Sequence, residues 1–264
     1  MPNTHTKSEN AKTGMVFFVG AGPGDPELLT LKGRKAIEGA GLVLYAGSLV
    51  PPEVVACAGP DARVADSAPL TLEECHQLVR ETALAGKDVA RVHTGDPSLY
   101  GALREQIALL ERDGIPWQVI PGVTAACAAA AAAGVTFTVP EVTQSLMISR
   151  MEGRTPVPER ERLAALAAHR TSLAVYLSAH SAAGLQAELA RSLPSETPVL
   201  CAHRVGWPDQ QLHWTTLDGL ARCVEQHGIT RQSVFLILPG ELEKGAASRL
   251  YAADFSHGRR QEKA

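Results

Sequence analysis

MVFFVGAGPGDPELLTLKG, residues 15–33, runs from an unbroken apolar segment through a glycine-proline turn into helical spacing, and the rest of the fold is read outward from it. Its opening MVFFVG shows no polar alternation, as expected of a strand covered on both faces in a parallel sheet. The turn GAGPGD follows, and apolar periodicity then predicts a helix over residues 27–40. The same order recurs downstream. LVLY (42–45) is a second strand, and Thr71-Leu72-Glu73-Glu74 has the form of a capping box, opening a helix that Gly86 closes. Cys75, Leu78 and Val79 share an apolar face with Leu72. DVARVHTG (88–95) and WQVIPG (117–122) supply two further strands. The first of these leads into a helix with the stripe Leu99, Leu103, Ile107 and Leu110, the second into GVTAACAAAAAAG. Strands alternating with amphipathic helices predict an α/β fold with a mostly parallel sheet.

VTFTVPEVTQ (135–144) reads as a connection between two lobes. Beyond it SLMIS, SLAVYLS, PVLCAHR, QLHWTT and SVFLILPG read as strands, with helices centred near Leu166, Leu189 and Leu220. This second lobe admits mixed rather than purely parallel pairing. RMEGRTPVPERER (150–162), with its prolines and dense charge, predicts a mobile loop. The expected divisions are an extension over residues 1–14, a first lobe over 15–139, a second over 140–256 and a tail over 257–264.

Four first-lobe strands run straight into small-residue turns: GAGPGD (20–25), YAGSLVP (45–51), HTGDPSLYG (93–101) and IPGVTA (120–125). In open α/β sheets ligands bind outside the carboxyl ends of the strands, where glycine lets backbone come close. Four such turns predict a shared cleft. A dinucleotide site fits poorly: Gly20-Ala21-Gly22 begins like GxGxxG, but Asp25 stands where the third glycine belongs and Pro23 lacks an amide hydrogen. No carboxylate follows the second strand to hold a ribose, and no GxxxxGK[ST] string occurs. A ligand cationic near its reactive atom, such as the sulfonium of S-adenosylmethionine, would find a countercharge in Asp96. The other reading of Gly95-Asp96-Pro97 is an Asx-type turn.

Composition narrows the partners. The 264 residues are 45% apolar and 20% charged, ordinary for a globular protein. A formal charge of −3 gives no general attraction to nucleic acid or to an anionic membrane, so an anionic substrate needs a local basic patch. The polar first 14 residues predict a disordered extension rather than a targeting signal. The alanine-rich run 123–135 is too short to span a bilayer. Five scattered cysteines without a CxxC pair predict reduced thiols, no metal site and a cytoplasmic protein.

In this order and spacing, VGAGPGDPELLTLKG, GDPSLYG and IPGVTA resemble the three signature segments of the tetrapyrrole methylases, with similarity from about Met15 to about Asp254. YAGSLVP, TVPEVTQSLMISR, GRTPVPE and HRVGWPDQ are most similar to the members that methylate carbon 11 of precorrin-4 in cobalamin (corrin ring) biosynthesis. The resemblance implies two α/β lobes with the active-site cleft between them, usually in a homodimer. It implies S-adenosylmethionine as methyl donor, S-adenosylhomocysteine as product and a tetrapyrrole as acceptor. Another corrin-ring methylation, including that of cobalt-precorrin-4, is the alternative.

Carried over by position, the resemblance implies donor contacts at Pro23, Thr94, Gly95, Asp96, Leu99, Thr124, Ala125, Leu177 and Val205. The acceptor's acetates and propionates ask for cations, and Arg150, Arg154 and Arg204 stand in loops expected to face the cleft. A solvated surface with internal ion pairs is their other reading. Ser48, Tyr100 and Glu141 are expected beside the acceptor, although Tyr100 admits a packing role and Glu141 a tie within the connection. His93, His180 and His203 each end an apolar strand and read best as structural histidines. The acceptor carbon is itself the nucleophile, so no general base is named.

Overall fold

A computed structural model describes residues 13–242; the extension, the tail and the end of the second lobe fall wholly or mostly outside the described residues. The chain forms two compact units, dividing between Ala125 and Ala126. The sequence pattern instead places the division after Val139, within the 135–144 connection.

In the first unit five strands, β1 (Val16–Gly20), β2 (Leu42–Tyr45), β3 (Arg63–Asp66), β4 (Val89–His93) and β5 (Trp117–Ile120), form one sheet in the order β3-β2-β4-β1-β5. Every pairing is parallel. Both faces are covered. Val19, Val43, Ala90 and Val92 pack with Ile37 of α1 (Leu31–Gly39) and with Val54 and Val55 of α2 (Pro52–Val55). Val16, Phe18, Leu42 and Leu44 pack with Cys75 and Val79 of α3 (Leu72–Leu84) and with Leu110 of α4 (Leu103–Arg112). Burial on both faces is why β1 and β2 read as continuous apolar runs, whereas the edge strand β3 is mostly exposed and does not.

The expected helix over 27–40 divides. Pro26–Leu28 is a 3-10 turn capped by Asp25, and α1 starts at Leu31, because the Thr30 hydroxyl accepts from the Gly33 N–H. The Thr71–Glu74 capping box is present as read. Leu72, 37% exposed, lies outside the buried face assigned to it. Leu99 does not continue the α4 stripe: left-handed residues at Tyr100 and Ala102 end the turn first.

The second unit holds β6 (Leu146–Arg150), β7 (Ser172–Tyr176), β8 (Pro198–His203), β9 (Gln211–Thr216) and β10 (Ser233–Ile237), in the order β6-β7-β10-β8-β9. Only β6 and β7 are parallel, so the sheet is mixed, as the sequence allows. Leu163 of α6 (Leu163–Ala167), Leu185 and Leu189 of α7 (Ala182–Leu189), and Leu220 of α8 (Leu220–Gln226) share a core with Val175, Val199 and Phe235. The alanine run is α5 (Ala125–Ala133), whose Ala126 N–H donates to the Tyr176 hydroxyl at 2.8 Å. No helix among the described residues is long and apolar enough to cross a membrane.

Candidate active site

Three strand ends of the first unit are joined by main chain. Gly22 and Gly95 exchange both backbone hydrogen bonds (3.2 and 2.7 Å), and the Ala21 N–H donates to the His93 carbonyl at 2.7 Å. The third strand end packs by contact: a Cβ on Gly122 would lie 2.2 Å from the Gly95 carbonyl oxygen, and one on Gly20 would lie 2.5 Å from the Gly122 nitrogen. No side chain fits at either position, so the backbones themselves form the junction. Pro23 is buried beside it, Leu99, Thr124 and Ala125 are half-buried, and Thr94 is exposed.

Asp96 ties the junction further. One carboxylate oxygen accepts from the Ser98 N–H and hydroxyl, the other from the Gly122 N–H at 3.0 Å. It therefore makes the Asx turn and also links the β4 turn to the β5 turn. Burial pulls its pKa upward, but these hydrogen bonds outweigh burial and hold the carboxyl below its ordinary range. Asp96 keeps its negative charge. His93, at the end of β4, is buried, and its Nε2 has no hydrogen-bond partner among the described residues. Burial, then the neighbouring Arg91 charge, push its pKa down to about 3, so the imidazole is neutral at physiological pH.

The β2 turn is held from β3. One Asp66 oxygen accepts from the Gly47 and Ala68 N–H groups, each at 2.8 Å, leaving Ser48 at the exposed tip.

In the second unit the three arginines differ. Arg150 donates to the carbonyls of Met151, Thr155 and Pro156, folding its own loop back. Arg204 bonds Asp209 at 2.7 Å and the Gln232 side-chain oxygen at 2.8 Å, and lies 4.0 Å over the Trp207 ring. Arg154 is exposed and has no ion pair among the described residues. Val205 is buried, and Leu177 is 60% exposed although apolar. Tyr100, Glu141, Leu177 and Arg204 hold left-handed φ of 56°, 63°, 54° and 50°. L-residues adopt that conformation at a cost, and such strain gathers at working sites.

Residues 15–221 match the family model of the Tetrapyrrole (Corrin/Porphyrin) Methylases. The chain is a tetrapyrrole methylase. A precorrin-4 C(11)-methyltransferase of Pseudomonas aeruginosa is 44% identical over 246 residues, covering 92% of this chain and 97% of the relative. The X-ray structure of a cobalamin biosynthetic enzyme, cobalt precorrin-4 methyltransferase, superposes with a TM-score of 0.83 at 41% identity, over 85% of this chain and 94% of that one. A Thermus thermophilus uroporphyrin-III C-methyl transferase complexed with S-adenyl homocysteine matches with a TM-score of 0.71 at 27% identity, over 87% of this chain and all of that one.

In this methylase Pro23, Gly95, Asp96, Thr124 and Ala125 all belong to the β1, β4 and β5 strand ends, as the glycine-rich turns predicted. The sequence reading missed Asp66, Arg91, Gln106 and Tyr176. Asp66 ends a short strand with no apolar signature. The signal for Arg91 was present: a charged residue inside an otherwise apolar central strand.

Proposed function

We propose that this methylase transfers the methyl group of S-adenosylmethionine to carbon 11 of precorrin-4, giving precorrin-5 and S-adenosylhomocysteine. The near-full-length likeness to the Pseudomonas relative carries the reading. The donor, when bound, supplies an electrophilic methyl on a sulfonium and leaves as a neutral thioether.

The first unit fits such a ligand. Its strand ends present main chain without obstructing side chains, and Asp96 brings a charge that stays ionised. Pro23, Thr94, Gly95, Asp96, Leu99, Thr124 and Ala125 would hold the donor, with Leu177 and Val205 as the second unit's contributions. The attacking electrons come from the acceptor's own carbon, so the protein's task is alignment and exclusion of water. A junction tied by reciprocal backbone hydrogen bonds suits alignment, because its groups are already held in place by one another. For the acceptor we assign Ser48, Tyr100, Glu141, Arg150, Arg154 and Arg204. Arg154 offers a guanidinium not already spent, whereas Arg150 and Arg204 chiefly shape the loops that carry them. Cytoplasmic location and a homodimer belong to the same reading, and sedimentation of the purified chain tests the latter.

The deciding experiment incubates the protein with methyl-labelled donor and, separately, precorrin-4 and cobalt-precorrin-4. A single methyl found at carbon 11 by mass spectrometry and NMR supports the assignment, and the better kcat/KM names the natural acceptor. Label at another ring carbon, or none on either corrinoid, rejects it.

A further inference from the structure

We propose that Arg91 and Gln106 are positioning residues that set the acceptor-side turns of the first unit, acting through main-chain carbonyls without touching either substrate. The inference rests on the reading that Ser48 and Tyr100 serve the acceptor.

Arg91 occupies a place where the core asks for an apolar residue. It sits in β4, between β2 and β1, on the face that carries Phe18, Leu44, Cys75 and Val79. Burial there lowers its pKa. Its acceptors are all neutral: the Gln106 side-chain oxygen at 3.0 Å, the Leu44 carbonyl at 3.2 Å and the Ser67 hydroxyl at 3.0 Å. Asp66 attracts it through space but accepts no hydrogen bond from it among the described residues, and well-packed apolar replacements of buried ions are often neutral or stabilising. Its use lies in what it connects.

The Ser67 hydroxyl passes a hydrogen bond to the Tyr45 carbonyl at 3.1 Å, and the Ser67 N–H reaches the same oxygen at 2.8 Å. Arg91 thus ties the ends of β2 and β3 together; the Ser48 turn departs from β2 and is held by Asp66 at the end of β3. On its other side, donation into the Gln106 oxygen settles which way that amide faces. The Gln106 nitrogen then points at the carbonyls of Ala102 (3.0 Å) and Gly101 (3.5 Å). This is the segment where Tyr100 and Ala102 are left-handed and where a Cβ on Gly101 would meet the Pro97 carbonyl oxygen at 2.4 Å. A turn so constrained keeps its shape only when held from outside. Neutral His93 lies beneath it, its Nδ1 3.3 Å from the same Cβ position.

The test replaces the network by apolar side chains in the double variant Arg91→Met/Gln106→Leu. We expect it to fold, to bind S-adenosylhomocysteine by calorimetry as the wild type does, and to lose about tenfold to a hundredfold in kcat/KM for the corrin precursor. Wild-type kinetics in a folded double variant would overturn the proposal. Should that variant not fold, Gln106→Glu keeps an acceptor for Arg91 and removes only the donor to Gly101 and Ala102; the same loss is expected, and its absence counts against the proposal. Amide hydrogen exchange over residues 97–102 reads the turn without substrate. Faster exchange in the variant supports the clamp and unchanged exchange refutes it, even if the wild type methylates no corrinoid and the acceptor reading fails.

Discussion

Truncating Arg204 would strip Asp209, the Gln232 amide and the Trp207 face of a common partner. Arg204→Ala is expected to lower the unfolding free energy by about 1–3 kcal/mol, measurable by urea titration. Arg154→Ala is expected to leave that curve unmoved and to raise KM for the corrinoid, which steady-state kinetics will separate from kcat. His93 and Asp96 set the acid limit. The folded His93 pKa of about 3 lies below the ordinary value of 6.5, so below pH 6.5 only the unfolded chain takes up the proton. Stability therefore falls as pH drops from 6.5 towards 3, by at most about 1.4 kcal/mol per pH unit from this group. Asp96 is depressed too, so its contribution is present above the ordinary carboxylate range and is lost as pH falls through its folded value. Denaturation at stepped pH should show a shallower acid decline in His93→Asn than in the wild type.

Among the elements, the strand-end junction and the helix starts respond to single atoms. Gly122→Ala places a carbon 2.2 Å from the Gly95 oxygen, and since both partners are backbone the β4 and β5 turns must part. Weaker binding of S-adenosylhomocysteine, read by calorimetry, is expected together with a lower melting temperature. Thr71→Ala removes the hydroxyl that accepts from Glu74 and should cost about 1 kcal/mol by thermal unfolding, with activity intact. These elements also show what the sequence made legible. Glycine spacing marked the turns because close backbone approach excludes side chains there. The capping box was local and readable. β3 was not: Arg63–Asp66 is short and mostly exposed, and it pairs only along one edge. The start of α1 was misplaced because a 3-10 turn imitates one turn of helix until Thr30 caps the real one.

For the whole molecule, class was readable and topology was not. Apolar runs alternating with helices named an α/β protein, but local pattern holds no record that β10 inserts between β7 and β8. Pairings of that kind are decided by contacts distant in sequence. The Arg91–Gln106 link escaped for the same reason, since its partners lie on a strand and a helix that only the fold brings together. The donor product, binding the folded chain and not the unfolded one, should raise the melting temperature with concentration. At a hundred times its Kd the gain is about 2.7 kcal/mol, and a melting curve indifferent to S-adenosylhomocysteine would count against the donor assignment.

Tyr100, Glu141, Leu177 and Arg204 each carry a side chain where the backbone favours glycine. A laboratory lineage bred only for heat tolerance would drift towards glycine at Tyr100, Glu141 and Leu177, whereas Arg204 would stay for the partners that it holds. Backbone strain at those three addresses thus records a compromise that such selection would renegotiate.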